Sequence, residues 1–229
     1  MHYETVHYDW QPLLLTFKLA GAATLILCLT GIPFAWWLSQ SRLRIKPALE
    51  ALVAMPLVLP PSVLGFYLLL AFSPAHWFGG ALEHVAGIKL AFSFTGLVVA
   101  SVIFSFPFMV HPVQSGLQNL PASLSEAAYT LGKSRWQTFL HVLLPNIKPS
   151  LLAGIVLSFA HTIGEFGVVL MIGGNMPGET RVASIAIYDE VEALNYDTAN
   201  FYALVLFGVC FAILLAVYLL NKKLAMRVG

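Results

Sequence analysis

Of the 229 residues, 59% are hydrophobic and only 10% charged, with a formal net charge of +1. A soluble domain carries roughly 25% charged residues, so this composition excludes a water-soluble globular fold and points to a helical integral membrane protein. A membrane β-barrel is excluded as well, because the apolar residues come in long runs rather than in segments of ~10 alternating residues.

The chain begins MHYETVHYDW, which is acidic and aromatic and lacks the basic n-region of a cleaved signal. The first apolar segment therefore reads as a retained helix. Five spans are predicted, at about 12–40, 48–74, 93–116, 148–174 and 200–221, within a single transmembrane domain covering 1–229. Residues 182–195 add a candidate surface helix. Cys28 and Cys210 lie inside apolar runs and behave as small hydrophobes, with neither a disulfide nor a metal implied.

The connections carry the charge. Arg42, Arg44 and Lys46 lie in the first, Lys133, Arg135 and Lys148 in or beside the third, and Lys222, Lys223 and Arg227 in the C-terminal tail. The second has only Lys89, and the fourth sets Arg181 against Glu179, Asp189, Glu190, Glu192 and Asp197. Basic residues in short loops stay in the cytoplasm. Five alternating spans satisfy that rule only with the N-terminus outside and the C-terminus inside.

Two spans are broken by proline: MPLVLPPSVLG by Pro56, Pro60 and Pro61, and SFPFMVHP by Pro107 and Pro112. Each interior proline removes a backbone donor and costs ~3 kcal/mol in water. In lipid the freed carbonyls need protein or a wet cavity. Either these are ordinary kinks, or residues 55–65, with Pro60, Pro61 and Ser62, line a pathway that opens and closes.

Residues 117–147 are predicted to stay in the cytoplasm. Ser123 followed by Glu126 fits a capping box, with Ser123 as N-cap. Leu124, Ala127, Ala128 and Leu131 share one helical face, and Gly132 is a natural stop. Ser134 with Gln137 repeats the box, and Trp136, Phe139, Leu140, Leu143 and Leu144 form a second stripe ended by Pro145. The pattern predicts two short helices with a glycine elbow. Neither would hold its shape alone in water, so their apolar faces must dock on the spans, on another protein, or on both. Gly132-Lys133-Ser134 mimics the end of a P-loop, but Ala127 stands where that motif needs glycine, and a capped helix replaces its strand. This chain has no route to bind ATP there.

In the fourth span, Glu165 follows His161 by one turn. A carboxylate at membrane depth costs ~2.5–3.5 kcal/mol on insertion scales and usually faces a cavity or a partner. It is read as a structural group bonding amides freed near Gly164 and Gly167, or as a proton site with His161, or as part of a metal site, for which two ligands are too few.

Glu126-Ala127-Ala128, Gly132 and Leu144-Pro145 resemble the EAA loop of permease subunits of bacterial ABC importers, with Val142 where that family usually has isoleucine. The resemblance implies a type I importer fold, all-α, with five transmembrane helices, six at most, and a cytoplasmic pair of coupling helices. It implies a separate cytoplasmic ATPase gripping Glu126, Ala127, Ala128, Gly132, Leu144 and Pro145, with ATP and Mg on that partner and no cofactor in this chain. GEFGVVLMIGGNMPGETRVASIAIY, MPLVLPPSVLGFYLLL and AGIKLAFSFTG are similar to the permeases for tetrahedral oxyanions, the molybdate branch first, and sulfate or tungstate second.

The proline break and the buried carboxylate make Pro60, Pro61, Ser62, Gly164, Glu165 and Gly167 the candidates for the pathway. The resemblance implies a periplasmic or extracellular binding protein, a homodimer in the lipid of a bacterial inner membrane, and no nucleic-acid partner. Residues 175–181, with Asn175, Gly178, Glu179, Thr180 and Arg181, are placed outside by the topology and either touch that protein or form an ordinary turn-rich loop. Two rivals come from other classes. A proton-coupled secondary transporter would use Glu165 and His161, and needs an inverted repeat that the sequence does not display. A membrane enzyme would need His76, His84, His111, His141 and His161 in one site, which the predicted topology scatters across both sides of the membrane.

Overall fold

The computed structural model describes residues 9–225, with side chains described as far as Leu219. The first eight residues and Arg227, together with the side chains of Lys222 and Lys223, lie outside the described residues. Among the described residues, all regular structure is helical. In order come α1 (Gln11–Gln40), α2 (Lys46–Val58), α3 (Pro61–Phe72), α4 (Trp77–Ala86), α5 (Phe94–Gln118), α6 (Ala122–Thr130), α7 (Arg135–Thr138), a π-helical turn (Phe139–Leu143), α8 (Leu144–Asn146), α9 (Lys148–Gly164), α10 (Gly167–Gly173), α11 (Ala183–Glu192) and α12 (Tyr196–Ala225). Three helices, at 11–40, 94–118 and 196–219, are each long and apolar enough to cross a membrane, and two bent pairs raise the number to as many as five.

The spans expected at 48–74 and 148–174 are each broken. At the first break Pro60 supplies no amide and forces Leu59 into an extended conformation (φ −70°, ψ 136°), so α2 stops and α3 restarts on Pro61. Pro107 and Pro112 lie inside an unbroken α5. The tandem prolines are therefore a true break, and the separated ones are tolerated. The helix expected over 182–195 exists as α11, although Ala183, Ile185 and Ala186 bury one of its faces.

The chain divides into two compact units. One takes residues 1–21, 60–101 and 163–211, the other 22–59, 102–162 and 212–229. Among the described residues, eight of the ten Asp and Glu fall in the first, and eight of the eleven Lys and Arg in the second. They are called the acidic and basic units below.

In the acidic unit α3 packs on α10 through small residues. A methyl on Gly167 would come 2.8 Å from Pro61 Cβ, and one on Gly65 would come 3.0 Å from Met171 Cβ. Glycine at both positions lets the backbones approach, as membrane helices require. The start of α1 anchors α11: the Ala183 amide donates to Thr16 Oγ1 (2.8 Å), and Leu13, Ala183, Ala186 and Tyr202 form a buried cluster. Lys18 lies 4.7 Å from the Phe94 ring centre, a cation–π contact.

In the basic unit Met109, fully buried, fills the gap between two glycines. A methyl on Gly31 would meet its Cγ at 2.9 Å, and one on Gly154 would meet its carbonyl oxygen at 3.2 Å. Leu27, Leu38, Val110, Val113, Phe139 and Leu143 extend that core. Glu50 accepts a hydrogen bond from Gln114 Nε2 at 2.6 Å, and Lys46 stands 3.9 Å away.

Candidate coupling and translocation sites

The segment from 121 to 147 forms the expected pair of short helices, with one cap misread. Pro121, at φ −60° and ψ 137°, is the N-cap of α6, and no side-chain cap bond forms. Ser123 is therefore already inside the first turn and does not cap, which leaves the Glu126 carboxylate exposed rather than folded back. The expected apolar stripe on α6 is also mostly uncovered, with Ala128 buried, Ala127 exposed and Leu131 80% exposed. Gly132 does terminate the helix, in the left-handed region at φ 78°.

The second box is present in full: Gln137 N–H donates to Ser134 Oγ (3.2 Å) and Ser134 N–H to Gln137 Oε1 (3.0 Å). Pro145 does not end this helix. It has no amide for the carbonyl of residue 141, and the chain widens into a π turn in which Leu144 N–H reaches back to Phe139. The helical path then runs to Asn146 before α9 departs at 82°.

Part of the docking question is answered inside the basic unit. Phe139, 2% exposed, stacks on Trp36 of α1 with ring centres 4.4 Å apart and planes 18° apart. Leu143 is buried beside it. Tyr129, Leu131, Trp136 and Leu140 stay substantially exposed, so an apolar surface remains on this helix pair.

In the acidic unit the structure gathers several residues expected in the pathway. α9 ends at Gly164, and Glu165, 7% exposed, sits in the break before α10. Its Oε1 accepts the Val168 amide at 2.7 Å, with the amides of Gly167 and Phe166 also directed at it. Its backbone carbonyl accepts from Ser184 Oγ at 2.7 Å, tying the break to α11. Pro61 and Ser62 lie against Gly167, while Gly164 has open space around its Cα.

His161 belongs to the basic unit, where its Nδ1 pairs with Ser105 Oγ (3.1 Å) and its ring stacks on Phe108, centres 3.9 Å apart. Carboxylate and imidazole each have partners within their own unit.

The loop after α10 is strongly internalised. Asp189 accepts from Asn175 Nδ2 (2.7 Å) and pairs with Arg181 (2.9 Å). Thr180, fully buried, donates to the Gly173 carbonyl (2.7 Å) and accepts the Met176 amide (2.9 Å). Of the five residues expected to meet a binding protein, Gly178 and Glu179 form the exposed tip and the other three hold the loop's shape.

Sequence reasoning missed α4, whose two glycines weaken the helical pattern; the C-cap Gly87, at φ 66°, was the available signal. It also missed the Thr16–Ala183 and Trp36–Phe139 contacts, which join residues far apart in the chain and leave no local pattern.

A family model described as the binding-protein-dependent transport system inner membrane component matches residues 31–228, and the chain belongs to that family of multi-pass inner-membrane transport proteins. Within it, the chain is 46% identical over 214 residues to the molybdenum transport system permease protein ModB of Azotobacter vinelandii, covering 92% of this chain and 93% of the relative. It is 36% identical over 198 residues to the sulfate transport system permease protein CysT of Escherichia coli, covering 86% and 71%. The fold is shared with a chain of the MetNI methionine ABC transporter in inward-facing form, with a TM-score of 0.74 at 16% identity, over 97% of this chain and 99% of that one.

Proposed function

We propose that this chain is the membrane-spanning subunit of an ATP-driven molybdate importer, a single permease domain that works as a homodimer in lipid with two cytoplasmic ATPase subunits and an external binding protein. The observation that carries the reading is 46% identity to a molybdenum permease along 92% of the chain. The chain performs no chemistry on its cargo. ATP binding closes the ATPase pair, which moves the α6–α8 segment through Glu126, Ala127, Ala128, Gly132, Leu144 and Pro145. That movement is transmitted through the Phe139–Trp36 stack to α1 and through the 82° junction to α9.

The orientation follows the charge. The connections that carry Arg42, Arg44 and Lys46, and Lys133, Arg135 and Lys148, belong on the cytoplasmic side. The break at Glu165–Phe166, between Gly164 and Gly167, serves as the moving part of the pathway, with Gly167 close against Pro61 and Ser62 beside Pro60. No fixed cation sits there to trap a dianion, which suits a conduit whose selectivity resides in the binding protein. The tip at Gly178 and Glu179, braced by Asn175, Thr180 and Arg181, is the contact offered to that protein.

Isotope uptake into proteoliposomes carrying the assembled complex tests the reading: molybdate enters with ATP and binding protein, and excess tungstate competes while sulfate competes weakly. Sulfate is the second reading, favoured by the 36% identity to a sulfate permease; stronger competition by sulfate than by tungstate would select it.

A further inference from the structure

Within the basic unit, the end of α1 and the α6–α7 elbow line an open groove of about 690 Å³. Trp36, Trp37 and Gln40 line it from α1, Ser41 and Arg42 from just beyond it, and Tyr129 and Arg135 from the elbow. Its hydrogen-bonding groups are mostly donors. The two ion pairs formed among the described residues are Lys46–Glu50 and Arg181–Asp189, so neither Arg42 nor Arg135 has a carboxylate partner. The indole N–H of Trp36 is buried and has no acceptor. An adjoining cavity of about 530 Å³ shares Gln40, Arg42 and Tyr129 and carries the single acidic group along the groove, Glu126, which forms no ion pair with Arg42.

Arg42 and Arg135 are both exposed and face one groove with no carboxylate among the described residues to neutralise them. Guanidinium groups fit phosphate-type oxygens in bidentate fashion. We propose that this groove binds a tetrahedral anionic group, with the chemistry of a phospholipid phosphodiester or of a free oxyanion. Its position favours the lipid. Arg42 follows a 30-residue apolar helix by two positions, and Trp36 and Trp37 lie at that helix's last turns, where aromatic residues meet headgroups. Basic pockets beside membrane helices take anionic headgroups in the same way. An anion held between Arg42 and Arg135 links α1 to the elbow, so its occupancy sets how firmly the proposed coupling segment is tethered. That consequence rests on the coupling reading; the binding itself does not.

Native mass spectrometry of the purified chain, exchanged into micelles with equal phosphatidylglycerol and phosphatidylcholine, tests it without transport. At least tenfold preferential retention of phosphatidylglycerol is expected, lost in the Arg42→Gln/Arg135→Gln double variant and kept in Arg44→Gln. In a second arm, millimolar phosphate or molybdate is added to lipid-free protein. A rise in Tm in the wild type and not in the double variant, without lipid preference, assigns the site to a free oxyanion and supports the same chemistry. Equal retention of both lipids by the wild type with no anion effect on Tm overturns the proposal, even if the double variant fails to fold. Undiminished retention by a folded double variant overturns it too. Failure of the chain to bind an ATPase would bear on the coupling reading alone.

Discussion

Replacing Glu165 separates the two roles that a buried membrane carboxylate can have. The side chain accepts the Val168 amide at 2.7 Å and is 7% exposed, so it caps α10 where water cannot substitute. Glu165→Gln keeps an acceptor oxygen and loses only the charge. Charge-assisted hydrogen bonds are roughly twice as strong as neutral ones, so the cost is about 1 kcal/mol. Glu165→Ala strands the Val168 amide in a dry site and costs ~1–3 kcal/mol, concentrated at the break between α9 and α10. Detergent-solubilised variants can be ranked by thermal unfolding, and membranes by ATP-dependent uptake at matched permease levels. A structural cap gives the order wild type, Gln, Ala in Tm, with most uptake kept in Glu165→Gln. Complete loss of uptake in Glu165→Gln at unchanged Tm and assembly would refute the cap argument and restore a proton-linked role.

Gly132, at φ 78° with open space around it, should tolerate asparagine, whereas alanine pays ~1–2 kcal/mol for the left-handed conformation; co-purification of the ATPase with each variant measures the effect, and an alanine variant equal to asparagine would contradict it. Phe139→Ala should lose ~3–5 kcal/mol of packing against Trp36 and speed hydrogen exchange across 135–146, with unchanged exchange as the contrary result. Asp189→Ala should free both Arg181 and Asn175 and expose loop 174–182 to limited proteolysis; since the pair is a quarter exposed, the stability cost is about 1 kcal/mol at most.

Much of the architecture was legible because bilayer helices announce themselves by length and hydropathy: the limits expected for the first and third spans fall within two residues of α1 and α5. What escaped had physical reasons. Ser123 reads as a cap only if the helix begins after it, and Pro121, the actual N-cap, starts the helix two residues early. The π turn follows from Pro145 sitting inside a helix rather than after it, and sequence spacing does not separate those cases. Glu165 stood out by its cost in lipid and by its neighbouring glycines, and the amide cap matches the structural option read from them. The roles of Arg181 and Thr180 were hidden because their partners, Asp189 and Gly173, lie seven or eight residues away on elements whose fold the sequence leaves open.

The most direct measurement is site-directed cross-linking from single cysteines at Tyr129, Leu131 and Trp136 in native membranes, in a background lacking Cys28 and Cys210, with and without ATP. These three exposed side chains should capture a nucleotide-binding subunit, with a yield that changes on adding ATP. If they capture lipid alone while the membranes still import molybdate, the helix pair is an interfacial anchor and the coupling mechanism is wrong.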